Sequence, residues 1–128
     1  MVKFRRDLIM AKSPGNTKTY IPERGDVIWI DLDPSAGSEI KKTRPALVIS
    51  PSNYNAKVGL ALLCPITSHK KGYPFEVELP SKGSIGGVIL SDQIKSLDWG
   101  ARHAKFEEKV SPQLIAAVIE KVLMLVKM

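Results

Sequence analysis

The spacing of the apolar residues changes once along this chain, near residue 111, and that change restricts the folds open to it. Before this point, short runs rich in β-branched and aromatic residues alternate with Gly, Pro, Asn and Asp, which is the pattern of strands joined by turns. Beyond it, Ser111 and Pro112 are typical of a helix N-cap and a first helical position. Apolar residues then recur at helical spacing, at Leu114, Ile115, Val118, Ile119, Val122 and Leu125. The sequence therefore predicts a mainly β fold with one helix: a small antiparallel β-barrel covered by a C-terminal helix.

Six apolar runs are the predicted strands. They cover residues 27–32, 45–50, 59–66, 75–79, 88–97 and 102–106, and the fifth is expected to bend near Asp92. The run at 75–79 alternates strictly, so it should be half-buried. Polar loops are expected between the runs, among them 33–43, 51–57, 67–72 and a glycine-rich turn at 82–87.

The predicted helix has an unusually broad apolar arc. Beyond the residues at helical spacing it also takes in Ala116, Ala117, Leu123, Met124 and Val126, which is wider than the roughly 100° stripe of an ordinary surface helix. Either the helix lies across an open sheet, or a partner subunit buries it.

Length and charge indicate one domain with a basic leader. The 128 residues, 44% of them hydrophobic, suit one domain at 20–128, and residues 1–19 are expected to be a flexible basic leader. Five basic side chains and one acidic side chain fall within residues 1–18, so only +2 of the net charge of +6 belongs to the rest. A basic balance favours a polyanionic partner such as nucleic acid, an anionic membrane surface or an acidic protein.

Several classes of protein and of site are disfavoured. Cys64 is the single cysteine, so a disulfide framework and a Cys-rich zinc site are excluded, and a buried structural role is expected for it. No apolar run reaches the ~18 residues of a membrane-spanning helix, and the apolar part of the N-terminal segment is too short for a secretory signal. We therefore expect a cytoplasmic protein without a membrane partner. No spacing typical of metal, nucleotide or serine-nucleophile sites occurs, so no metal or cofactor is expected.

Polar side chains flank the second and third predicted strands. Glu39, Lys41, Lys42 and Arg44 precede the second strand, and the third is followed by Thr67, Ser68, His69, Lys70 and Lys71. If these strands are neighbours, Arg44 comes to lie beside Thr67 and the lysines. An arginine fork can bind a phosphate with two hydrogen bonds, and a threonine hydroxyl adds a neutral donor. Ordinary solvated charged turns are the alternative. His69 and His103 could form an acid–base pair for RNA cleavage, but nothing in the sequence places them together.

Four segments together carry a resemblance. "GDVIWIDLDPSAGSE", "RPALVIS", "CPITSHKKGYPFEVEL" and "SDQIKSLDW" are similar, in order and spacing, to segments of the MazF/PemK family of toxin endoribonucleases, from about Tyr20 to the C-terminus. The resemblance implies an SH3-like barrel, open at one side, with a C-terminal helix, that forms a homodimer. It also implies a type II toxin that cleaves single-stranded mRNA at short sequence motifs without a metal, and so inhibits translation. The implied protein partner is a cognate antitoxin with an acidic, disordered C-terminal tail.

The resemblance also implies roles for individual residues. Arg44, at the Arg-Pro strand entry, matches the catalytic arginine of the family, and Thr67 matches its catalytic threonine. Glu39 matches an acidic position that serves some members as a general base or a substrate-positioning group. RNA contacts are implied for Lys41, Lys42, Ser68, His69, Lys70, Lys71 and Tyr73. The segments "EIKKT" and "SHKK" depart from the family pattern, so the cleavage motif cannot be copied from another member.

The expected reaction uses the nucleophile that RNA carries itself, the 2′-OH. Its attack on the neighbouring phosphorus yields a 2′,3′-cyclic phosphate and a 5′-OH end. Two other readings remain open at this stage. Toxins of the same fold can bind and poison DNA gyrase without ribonuclease activity, and a plain nucleic-acid-binding barrel would bind without cleaving.

Overall fold

The computed structural model describes residues 20–32 and 43–128, and these form an antiparallel sheet with two helices. The strands are β1 (Asp26–Asp31), β2 (Thr43–Val48), β3 (Leu60–Thr67), β4 (Glu76–Glu78), β5 (Val88–Leu90), β6 (Lys95–Asp98) and β7 (Lys105–Lys109). Their order across the sheet is β4-β5-β3-β2-β1-β7, with β6 paired to β3 as well. Since β4 and β7 stand at the two ends of this order, the sheet is barrel-like but its strand pairing does not close within the described residues. The expected mainly β fold with a C-terminal helix is confirmed.

The loop between β4 and β5 contacts β7, the strand at the other end of the sheet order, through Ser84. Ser84 lies in the loop between β4 and β5, and its Oγ donates to Glu107 Oε2 at 2.7 Å and to Glu108 Oε1 at 3.1 Å, both on β7. Trp29 on β1 donates to the other oxygen of Glu107 at 2.9 Å. The bonds from Ser84 and Trp29 lower the pKa of Glu107. The loop is thereby attached to the strand at the far end of the sheet.

The prediction of a loop at residues 51–57 is wrong, because helix α1 (Ser52–Val58) occupies that segment. Its two asparagines suggested a turn, since Asn competes with helix formation through local hydrogen bonds. Here Asn55 is fully buried and forms non-local bonds instead: its Nδ2 donates to Pro22 O at 2.8 Å and to Ser50 O at 3.1 Å. Gly59, with φ of 80°, ends the helix and donates to Asn55 O. Tertiary hydrogen bonds therefore outweigh the local preference.

The segment 88–97 bends where expected but forms two strands. A 3-10 turn at Ser91–Gln93 separates β5 from β6, and the two strands pair with different parts of β3. The strand predicted at 102–106 begins late, at Lys105, because residues 101–103 form a turn in which His103 has φ of 57°. The alternating run at 75–79 is confirmed as half-buried, with Val77 and Leu79 inside and Glu78 exposed.

The buried side chains form two clusters on the two faces of the central strands. Val27, Leu47 and Cys64 belong to the cluster packed by the C-terminal helix, while Ile28 and Leu63 belong to the other, which includes Trp99. Cys64 is fully buried as expected, and burial, followed by the charge of Asp92, raises the pKa of its thiol to about 12. The central strands are apolar on both faces because both faces are covered.

The C-terminal helix α2 (Pro112–Lys127) begins as the sequence predicts. Ser111 caps it, its Oγ accepting the N–H of Leu114 at 3.2 Å, and Pro112 follows in the first turn. Val118 is fully buried against the sheet, whereas Leu123, Met124 and Val126 remain exposed. Neither α2 nor α1 has the length and apolar character that crossing a membrane requires.

Candidate nucleic-acid interface

The pairing of β2 with β3 brings two predicted site residues, Arg44 and Thr67, to the same end of the two strands. Ala46 lies opposite Pro65, and Val48 lies opposite Leu63. The pairing ends at Ala46 and Pro65, so Arg44, two residues before Ala46, and Thr67, two residues after Pro65, lie at the same end of the two strands. Arg44 is exposed and Thr67 is half-buried. The two strands are therefore neighbours, as the sequence analysis supposed.

Arg44 lies inside its strand rather than before it. The predicted strand began at residue 45, but β2 begins at Thr43, because Thr43 pairs with Asp31 and Arg44 pairs with Ile30 of β1. The backbone of Arg44 is thus held by a ladder to β1. This fixes the origin of a long side chain that itself remains exposed.

Thr67 ends β3 with a hydroxyl whose orientation is constrained. Its Oγ1 accepts the backbone N–H of His69 at 3.1 Å, a local turn bond of the Ser/Thr type. Because that bond uses a lone pair of the oxygen, the O–H proton of Thr67 is left to donate elsewhere. On its other side the Thr67 backbone pairs with Val88 of β5.

A carboxylate holds the basic loop that follows Thr67. Glu76 accepts the N–H of Lys71 at 3.1 Å and that of Gly72 at 2.9 Å, where Gly72 has φ of 83°. Successive N–H groups at such a turn form an anion-binding concavity, here filled by Glu76. The Lys70 ammonium forms an exposed ion pair with Glu78 at 3.1 Å, a kind of contact that adds little stability. The main support of the loop is therefore Glu76.

An open cavity of about 420 Å³ lies beside Thr67. Its walls combine hydroxyl, imidazole, ammonium, carboxylate, amide and aromatic groups, from Thr67, His69, Lys71, Tyr73, Phe75, Glu76, Leu90, Asp92 and Gln93. Such a lining offers hydrogen-bond donors and acceptors together with flat apolar surface, which suits a polar aromatic ligand such as a nucleobase.

The predicted site residues divide into three groups. Thr67, His69, Lys71 and Tyr73 line the cavity, whereas Arg44, Ser68 and Lys70 are exposed and are not among its lining residues. Glu39, Lys41 and Lys42 lie outside the described residues. His103 lies in the turn before β7 and does not line the cavity with His69.

Four polar or aromatic lining residues were not predicted from the sequence: Phe75, Glu76, Asp92 and Gln93. Asp92 and Gln93 stand in "SDQIKSLDW", a segment that carried the resemblance but supplied no candidate. The signal that could have found them is the expected bend near Asp92, since a break in a strand turns its polar residues towards the sheet edge. Within residues 20–32 and 43–128, no group of three or more His, Cys, Asp or Glu side chains is arranged to hold a metal ion.

Comparisons with known proteins agree on one family. The model of the PemK-like, MazF-like toxin of type II toxin–antitoxin systems matches residues 23–126. Endoribonuclease toxin MazF of Escherichia coli strain K12 is 45% identical over 84% of this chain and 96% of its own length. Endoribonuclease PemK of E. coli is 34% identical over 76% of each chain.

Solved structures give the same result. The crystal structure of MazF from Deinococcus radiodurans superposes with a TM-score of 0.79 at 43% identity, covering 86% of this chain and all of that one. A MazE–MazF complex from the same organism matches with a TM-score of 0.79 at 42% identity, over 85% of this chain and 99% of that one. This protein therefore belongs to the PemK-like, MazF-like family of toxins of type II toxin–antitoxin systems.

Proposed function

We propose that this protein is the toxin of a type II toxin–antitoxin pair and cleaves single-stranded mRNA at short sequence motifs, without a metal ion, thereby inhibiting translation. The observation that carries the proposal is the β2–β3 pairing, which brings Arg44 and Thr67 to the same end of two neighbouring strands, where Thr67 lines an open cavity. The names of the relatives, endoribonucleases at 34–45% identity, support the same activity.

The proposed reaction begins with the 2′-OH of the RNA. The 2′-oxygen forms a bond to the adjacent phosphorus while the bond from phosphorus to the 5′-oxygen breaks. The 2′ proton passes to a base, and the departing 5′-oxygen takes up a proton from solvent. The products are a 2′,3′-cyclic phosphate and a 5′-OH end. Positioning and electrostatic stabilisation supply most of the catalysis in such phosphoryl chemistry.

Arg44 and Thr67 take the stabilising roles. The Arg44 guanidinium holds the non-bridging oxygens as their charge grows, and because arginine is effectively always protonated, stabilisation suits it better than proton transfer. Thr67 donates its hydroxyl proton to the same phosphate, while its oxygen accepts the N–H of His69. Glu39 is the proposed acceptor of the 2′ proton, by its match to the family position.

The proposed RNA path follows the basic loops. Lys41, Lys42, Lys70 and Lys71 are assigned to phosphates, and Ser68 and His69 to polar contacts with bases or the backbone. Tyr73, which is 59% exposed and borders the cavity, is assigned to base stacking. Binding through these lysines weakens as salt rises, because each phosphate contact releases counterions.

Two protein partners are proposed: a second copy of the chain at the exposed face of α2, and an antitoxin at the basic loops. Leu123 and Met124 of α2 are 49% and 61% exposed and line an open groove of about 690 Å³, together with Ala116, Ile119, Glu120 and Lys127. A second copy of the chain is the proposed cover for this face, giving a homodimer.

A cognate antitoxin, supported by the MazE–MazF complexes among the structural neighbours, would place an acidic disordered tail against the basic loops in the cytoplasm. No described feature favours a gyrase poison or a binding-only barrel.

The test incubates the protein with mixed-sequence single-stranded RNA in EDTA and reads the fragment ends by mass spectrometry. Discrete fragments with cyclic-phosphate ends are expected from the parent protein, and Arg44→Ala should lower the rate by about 10²–10³-fold. Lys57→Ala is the control: it also removes one positive charge, but from the end of α1, at the opposite end of β3 from Thr67. Intact RNA with the folded parent, or equal loss from both variants, would overturn the proposal.

A further inference from the structure

The backbone directly behind Thr67 approaches another segment unusually closely. Gly87, just before β5, has φ of 113°, and a Cβ built on it would lie 2.2 Å from Thr67 O, 2.9 Å from Thr67 C and 3.1 Å from Ser68 Cα. All three are backbone atoms, so no side-chain rotation can relieve the contact. Residue 87 must therefore lack a Cβ if Thr67 is to keep its place.

The backbone at Gly87 is held in place by its neighbours. Its carbonyl accepts the N–H of Leu79 at 2.9 Å, which ties it to the end of β4. The next two residues, Val88 and Ile89, are 1% and 0% exposed, so their side chains anchor β5 in the core. A side chain added at residue 87 would have little room to retreat with its own strand.

The segment on the other side of the contact, which begins at Thr67, is less tightly packed. Thr67 is the last residue of β3 and is half-buried, and Ser68, His69 and Lys70 after it are all exposed. The collision would therefore be relieved by a shift of the Thr67–Ser68 peptide. That shift would move the Thr67 side chain and break the bond from the His69 N–H to Thr67 Oγ1.

We infer that Gly87 is a positioning residue for the proposed ribonuclease: its missing side chain sets where Thr67 presents its hydroxyl to the scissile phosphate. Gly87 touches no substrate in this account and acts only through Thr67. The inference rests on the proposed function, because it names what sets the geometry of that same site.

The first experiment compares Gly87→Ala with Gly86→Ala. The change is chemically identical one residue earlier, where a Cβ would meet nothing within 4 Å and φ lies outside the left-handed region. Gly87→Ala is expected to lower kcat for RNA cleavage by about 10–100-fold, since a misplacement near 1 Å can cost that much. KM, and binding of a single-stranded DNA copy that cannot be cleaved, should change little because lysine–phosphate contacts are retained. Gly86→Ala should behave as the parent.

A double-mutant cycle separates positioning from a general structural role. Thr67→Val removes the hydroxyl that Gly87 is inferred to place. In that background, Gly87→Ala should add less than a few-fold further loss, because the two residues act as one unit. A full additional loss of 10–100-fold would overturn the inference.

A readout without RNA keeps the inference separate from the proposed activity. In ¹H–¹⁵N spectra the His69 amide, bonded to Thr67 Oγ1, should move in Gly87→Ala and stay in place in Gly86→Ala. If the parent protein does not cleave RNA, the proposed function fails, while the His69 signal still decides whether Gly87 positions Thr67. Parent-like cleavage by a folded Gly87→Ala with an unmoved His69 signal would overturn the inference.

A second variant covers the case in which Gly87→Ala does not fold. Ser84→Ala removes the hydroxyl bonds to Glu107 and Glu108 and leaves only the backbone N–H bond to Glu108 Oε1, so it loosens the loop that ends at Gly87 without adding an atom near Thr67. Loosening the backing of Thr67 should displace the His69 amide and lower cleavage by a few-fold. An unchanged His69 signal together with an unchanged rate would contradict the inference.

Discussion

The two ends of β3 are built in opposite ways. At the Leu60 end, Asn55 of α1 is fully buried, and its side chain is bonded to Pro22 O, to Ser50 O and to the Ser50 hydroxyl. Trp99 donates to the Asn55 carbonyl at 3.0 Å, and Leu62 donates to Ser50 Oγ at 2.9 Å. At the other end, Thr67 is half-buried and borders an open cavity together with the exposed side chains of His69 and Lys71.

This difference separates stability from chemistry along one strand. Polar groups that are buried and fully paired hold one conformation, and losing one partner leaves the others unsatisfied. Polar groups such as the Thr67 hydroxyl, which donates to no acceptor among residues 20–32 and 43–128, remain available to a ligand. We therefore expect substitutions at the Asn55 end to change the free energy of unfolding, and substitutions at the Thr67 end to change activity.

The largest expected effect on stability is that of Asn55→Ala. It leaves Pro22 O and the Ser50 hydroxyl buried without their partner, which should lower the free energy of unfolding by about 2–4 kcal/mol in urea titrations. Asn53→Ala on the same helix is the matched control, because that exposed side chain accepts only from the Tyr54 N–H beside it. Equal destabilisation by the two variants would contradict the claim that the buried bonds of Asn55 stabilise the Leu60 end of β3.

The pH dependence of the free energy of unfolding tests whether Cys64, in the middle of β3, is shielded from water. Burial raises the pKa of the Cys64 thiol to about 12, so the folded protein keeps a proton that the unfolded chain releases above about pH 9. Stability should therefore fall as pH rises from about 9 towards 12, with a loss on the order of 1 kcal/mol at pH 10. The pKa of Tyr20 is also raised, by burial and by its hydrogen bond to Asp26, and it adds in the same direction at higher pH.

Urea midpoints between pH 8 and 10 measure this loss, with Cys64→Ala as the control. The alanine variant should begin less stable and lose less over that interval. If both proteins decline equally, Cys64 is not the group responsible.

The smallest effect expected is on the salt dependence of RNA binding. Each of Lys70→Ala and Lys71→Ala should lower the slope of log K against log salt by about 0.7, the value for one contact with a single-strand phosphate. Lys57→Ala, at the other end of β3, should leave the slope unchanged. A similar decrease for Lys57→Ala would show that the charge acts through the whole field of the protein rather than at the Thr67 end.

Local signals explain what the sequence predicted well. The cap at Ser111, the helical spacing after it and the alternation at 75–79 depend on neighbours in the chain, so they are readable without a structure. The family segments supplied Arg44 and Thr67 as candidates, and the pairing of β2 with β3 brings the two residues to the same end of neighbouring strands.

Non-local contacts explain what the sequence did not predict. Helix α1 depends on bonds from Asn55 to Pro22, 33 residues away in the chain. Glu76 and Gln93 border the cavity only because β4 and the 3-10 turn after β5 are folded beside the end of β3. The close approach of Gly87 to Thr67 likewise arises from strand pairing, and a glycine in a predicted turn gives no sign of it.

The most direct test of the contrast between the two ends is single-turnover RNA cleavage per folded molecule by Thr67→Val and Asn55→Ala. Thr67→Val keeps the shape of the side chain and should cleave about 10²–10³-fold more slowly, with an unfolding midpoint close to that of the parent. Asn55→Ala should be markedly less stable yet cleave at the parental rate once the folded fraction is taken into account. Parental cleavage by Thr67→Val, or an equal loss of rate in both variants, would contradict the assignment of chemistry to one end of β3 and stability to the other.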